Sequence, residues 1–76
     1  MNWLQRLIER ICLKSNLARD PEGKIRIQNY VISVVDDDNL FSIRVVDLVS
    51  GTPPKVTGPM YHDEVEDNLV TTIRSL

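Results

Sequence analysis

The chain has one cysteine, Cys12, and one histidine, His62. A single thiol closes no internal disulfide, and no Cys/His set with zinc-ligand spacing exists. The usual staples of very small domains are therefore missing, and a reducing, cytoplasmic setting is expected. Glycines stand alone at 23, 51 and 58, so no Gly-rich loop can cradle a phosphate. Apolar runs are short. The N-terminal segment is broken by Gln5, Arg6, Glu9 and Arg10, which excludes a membrane span and leaves no legible secretory signal. Aromatic residues number four in 76, too few and too scattered for a base-stacking platform.

What remains is a chain with 42% hydrophobic residues, ordinary for one globular domain with a thin core. Its charges are sorted. Residues 1–26 hold six Lys/Arg against three acids, a net of +3, and residues 27–76 hold three Lys/Arg against eight acids, a net of −5. The overall charge of −2 thus conceals a dipolar molecule.

Residues 2–17 predict an amphipathic helix. Trp3, Leu4, Leu7, Ile8, Ile11 and Cys12 recur at helical spacing. Asn2 suits the N-cap, with Gln5 at the capping-box position. Arg6, Arg10 and Lys14 follow at i, i+4 and i+8 and form a basic ridge. Such a ridge is the solvated flank of a core helix or a docking face for an acidic partner. Asp20-Pro21-Glu22-Gly23 is a turn signal. Residues 25–35 read as one strand whose alternation slips at Gln28-Asn29, which suggests a bulge. Residues 40–49 give the next strand, with Phe41, Ile43 and Val45 on one side and Ser42 and Arg44 on the other. Asp36 to Asn39 connects the two as a hairpin with an acidic tip. Val46, Leu48 and Val49 continue the apolar run, either as core or as an edge that pairs with another chain. Residues 55–61 form an edge strand or an extended segment, weakened by Gly58 and Pro59. Residues 63–75 predict the second helix, N-capped by Asp63 with Glu66 as box partner, and with Glu64, Glu66 and Asp67 favoured in its first turn by the helix dipole. Val65, Leu69, Ile73 and Leu76 make its buried stripe.

The expected architecture is a single α+β domain over 1–76, a two-layer sandwich. An N-terminal helix, an antiparallel hairpin or three-stranded sheet, and a C-terminal helix follow in order, both helices on one sheet face. The order helix, three strands, helix resembles that of double-stranded RNA-binding domains. That resemblance would imply phosphate contacts from lysines at the start of the last helix. The residues here are Asp63-Glu64-Val65-Glu66-Asp67, which repel a phosphate backbone.

No catalytic constellation is present. His62 beside Asp63 has no identifiable nucleophile partner and sits at a helix start. Counted from Asp36, the Asp36-Asp37-Asp38 run puts Phe41 and Asp47 where a calcium loop needs Gly and Glu. No metal or cofactor is expected. The sequence supports a small non-enzymatic protein-interaction module, an adaptor or inhibitor in the style of phage and mobile-element proteins. Its acidic set is Asp36, Asp37, Asp38, Asp63, Glu64, Glu66 and Asp67; its basic set is Arg6, Arg10 and Lys14. Charge sorting of this kind speeds and orients association. A homodimer through a sheet edge is a further expectation. Nucleic-acid binding by the basic helix and the turn after it is the alternative function.

Overall fold

Asn2 starts the first helix as its side chain predicts: Oδ1 accepts the Gln5 N–H at 2.9 Å. The computed structural model describes residues 2–76. Helix α1 runs Trp3–Ser15 and ends at Asn16, whose left-handed backbone (φ 54°) returns its N–H to the Cys12 carbonyl. Strands β1 (Ala18–Arg19), β2 (Ile25–Ile27), β3 (Tyr30–Asp37), β4 (Leu40–Asp47) and β5 (Lys55–Met60) follow. One 3₁₀ turn over His62–Glu64 then leads into α2 (Val65–Arg74). The strands pair antiparallel in chain order, β1-β2-β3-β4-β5. The layout is α+β, as the sequence indicates, but the sheet has five strands rather than two or three.

Two of the extra strands come from turns. The slip at Gln28-Asn29 is not a bulge. It is a two-residue hairpin turn, with Gln28 at φ 52° and Ile27 paired with Tyr30. Such a turn puts its two flanking residues on the same face, which is why the buried parity changes from odd in β2 to even in β3. Upstream, Asp20 Oδ1 accepts the N–H groups of Glu22 and Lys24, each at 2.9 Å. Gly23 supplies the positive φ of 84°. The turn folds Ala18–Arg19 back onto Arg26–Ile25. At the acidic hairpin the loop is only Asp38-Asn39, at φ 51° and 67°. This is the left-handed pair that a two-residue turn between twisted strands requires. Asp36 and Asp37 belong to β3, opposite Phe41 and Leu40.

One face of the sheet carries the core. Ile25, Ile32, Phe41, Ile43 and Met60 meet Leu7, Ile8, Ile11 and Cys12 of α1 and Val65 and Leu69 of α2. Each fully buried aliphatic side chain contributes about 1.5–3 kcal/mol. Trp3 closes one end, its ring edge-on to Phe41 at 5.1 Å. Leu76 lies beyond the end of α2 and is partly exposed, so it drops out of the predicted stripe. Leu48 and Val49 are exposed in the β4–β5 connection. There Asp47 accepts N–H groups from Val49 at 3.0 Å and Ser50 at 3.2 Å.

The start of α2 departs from expectation. Asp63 is not its N-cap. Glu64 occupies that position without a side-chain cap bond to α2; instead its carboxylate accepts the Tyr61 N–H at 2.9 Å, and its own N–H donates to the Tyr61 carbonyl at 3.0 Å. The reciprocal pair stabilises the 3₁₀ turn that aims the helix. No helix among the described residues is long and apolar enough to cross a membrane.

Candidate functional site

The two helices lie side by side and run in the same sense. At one end the Trp3 and His62 rings meet at 6.0 Å. At the other, Lys14 and Ser15 share a groove wall with Ile73 and Arg74. The basic ridge therefore does not face open solvent on both sides. Arg10 reaches across the groove and donates from Nη2 to Glu66 Oε1 at 3.1 Å. The side chains are 60% and 51% exposed, so the pair contributes about 0.2–1 kcal/mol. Its larger effect is geometric, because it divides the groove into two dents.

The first dent, about 360 Å³, has Trp3, Arg6 and Leu7 on one wall and His62, Asp63 and Glu66 on the other. The second, about 330 Å³, has an apolar floor of Ile11, Val70 and Ile73 under Lys14 and Arg74. Glu66 and Asp67 occupy the first turn of α2, and Lys14 and Arg74 the last turns of α1 and α2. In α2 this is the arrangement that the helix dipole favours, acids at the amino end and a cation at the carboxyl end, whereas α1 has no acid in its first turn. The acids at the start of α2 thus have a local explanation, which Arg6 and Arg10 of α1 do not share.

The acidic residues divide accordingly. Asp63 and Glu66 join Arg6 and Arg10 in the groove, and Glu64 holds Tyr61. Asp67 is exposed and forms no ion pair among the described residues. Asp36, Asp37 and Asp38 lie apart from the groove, at the hairpin tip, all exposed. Asp36 pairs with inward-facing Phe41, so Asp37 shares the outer face, and Asp38 sits in the turn itself. The three carboxylates diverge, and no group of three or more His, Cys, Asp or Glu among the described residues could hold a metal.

His62 touches Trp3, and no side-chain hydrogen bond reaches its ring among the described residues. A base without an oriented partner offers no route to a nucleophile. Cys12 is buried on the core face of α1. Burial pushes its thiol above the ordinary value, against a smaller opposing pull from Arg19, so it stays protonated and unreactive near neutral pH.

Sequence reasoning missed the outer face of the sheet. Its positions follow from the register: Arg26 beside Val31, Val31 opposite Val46, Ser33 opposite Arg44, Val35 opposite Ser42, and Val56 beside Arg44. Ser42 and Arg44 lie on this uncovered face, as expected, but four valines share it. The parity change at Gln28-Asn29 was the one signal that could have separated the two faces.

The chain matches no family model, no curated protein and no solved structure.

Proposed function

We propose that this protein is a small non-enzymatic protein-interaction module, an adaptor or inhibitor that docks a basic surface of a partner protein. The observation that supports this reading is the hairpin tip. Asp36, Asp37 and Asp38 are adjacent, exposed and without an ion pair among the described residues. Glu64 and Glu66 are engaged in holding the fold. The turn itself asks only for residues that tolerate a positive φ, which Asn does as well as Asp. A folding role does not require the charge of these three carboxylates. A basic partner would gain in encounter rate from them. A reducing compartment suits the single buried thiol.

The alternative, nucleic-acid binding by the basic helix, fits the geometry less well. Glu66 already binds Arg10, and Asp63 stands across the groove from Arg6. A phosphate backbone entering there would meet both acids.

Affinity capture from the native host, with the captured proteins identified by mass spectrometry, tests the proposal against Asp36→Asn combined with Asp38→Asn. The expected result is a partner that is retained at low salt, released as salt rises, and lost with the double variant while its circular dichroism is unchanged. Equal recovery of the same partner by both proteins would refute the acidic tip. A mobility shift with DNA or RNA would favour the alternative.

A further inference from the structure

We infer that the uncovered face of the sheet is a self-association surface on which a second copy of this chain packs, strands crossing antiparallel. The proposal goes beyond the hairpin-tip reading and does not depend on it. Composition points to an occupant first. Val31, Val35, Val46 and Val56 share the face, with Val35 43% and Val56 62% exposed. Ser33, Ser42 and Arg44 lie between them. A sheet face that stays in water is ordinarily polar at such positions.

The area is sufficient for a second copy. β3 and β4 are eight residues each, about 26 Å long, and β2 to β5 span roughly 19 Å. With β2 only three residues long and β5 six, the projected footprint is roughly 400 Å². Accessible area exceeds projection on a surface studded with side chains, which brings it toward the low end of specific interfaces, about 600 Å² per partner.

Charge then selects the arrangement. Arg26 lies at one end of the face beside Val31, and Asp37 at the other, about 20 Å along β3. A two-fold axis lying in the face and running across the strands sets the Val31 row of one copy over the Asp37 row of the second. Each Asp37 then meets an Arg26 of the other copy, and symmetry makes the pair twice. The same axis lays the Val35 row over the Ser33–Arg44–Val56 row. An axis parallel to the strands would instead leave Arg26 and Asp37 of the two copies about 20 Å apart, and over β3 it would oppose Asp37 to Asp37, which costs energy. The sheet edges offer less. β1 is two residues long, and β5 follows Pro53-Pro54 and contains Pro59, which blunts it against pairing.

Light scattering across a concentration series tests this. The expected mass is twice the chain's 8.7 kDa. Val56→Asp, which Arg44 beside it can accommodate in the monomer, should give the single mass. Arg26→Glu should weaken the dimer about tenfold, and Arg26→Glu combined with Asp37→Arg should restore it. A wild-type monomer at about 300 µM would overturn the proposal. So would a dimer indifferent to Val56→Asp or a charge swap that fails to restore it. Arg26 and Asp37 are exposed, so the swap remains informative even where Val56→Asp misfolds.

Discussion

Replacing Gly58 with alanine should be the most damaging single-methyl change on the surface of this protein. Between Thr57, opposite Ile43, and Met60, opposite Phe41, β5 carries one residue more than β4. Gly58 stands in that bulge at φ 127°, a conformation costing an L-residue about 1–3 kcal/mol. A Cβ there would also sit 2.9 Å from the Phe41 carbonyl oxygen and 3.2 Å from the Ser42 Cα. Both are backbone atoms and cannot swing away, which adds about 1–3 kcal/mol. The sum, roughly 2–6 kcal/mol, is a large share of the roughly 4–11 kcal/mol expected of a chain this size. Trp3 is the sole tryptophan and packs on Phe41, so its fluorescence reports urea unfolding. With a slope near ~1 kcal/mol per molar urea, the midpoint should fall by about 2 M or more. Gly51→Ala is the control. Its φ is 68° but no atom lies within 4 Å of the added Cβ, so it should cost only about 1–2 kcal/mol. If the two variants unfold at the same midpoint, the close approach of β5 to the Phe41 carbonyl is not there and the bulge is wrongly placed.

Two further outcomes are expected. In a double-mutant cycle, Arg10→Ala and Glu66→Ala should couple by about 0.2–1 kcal/mol at low salt and lose that coupling in strong salt; zero coupling at low salt would mean the groove is not bridged. The Asp47 carboxyl is held below its ordinary range chiefly by the Val49 N–H, then by the Ser50 hydroxyl and N–H. Its folded pKa is therefore the lower one, so the stabilisation is complete above the unfolded value and drains away as pH falls through the folded value. The stability difference between wild type and Asp47→Asn should hold from neutral pH to about pH 4 and shrink below it; a difference constant into strong acid would contradict those hydrogen bonds.

Both helices were legible because their apolar spacing is long and regular, and Asn2 declared the start of the first. The two-layer arrangement followed from one apolar face on each helix and one on the β4 pattern. The remaining strands were hidden for identifiable reasons. β1 has two residues and no periodicity to read. A turn at Gln28-Asn29 lacks glycine and proline, so its parity change looked like a bulge. At the start of α2 several acids are candidates for the N-cap, and the 3₁₀ turn that begins after Tyr61 puts Glu64 there in place of Asp63. The charged residues of the acidic and basic sets named from the sequence are all exposed. Their grouping was not legible, because no local rule places Arg10 against Glu66, 56 residues away. The valines of the outer face were invisible as a group until pairing aligned them.

The strand order equals the chain order, and this bears on how the protein comes to be folded. Every sheet pairing closes between consecutive segments, through loops as short as two residues. Hairpins of that kind form in about 1–10 µs and can zip in succession. The helices have no such advantage, since each must find a sheet face assembled from the middle of the chain. During synthesis α1 emerges first and has to wait, its apolar stripe uncovered, until β4 and β5 have followed it out. The interval in which that stripe can meet something other than its own sheet is therefore set by translation and not by the folding of the hairpins.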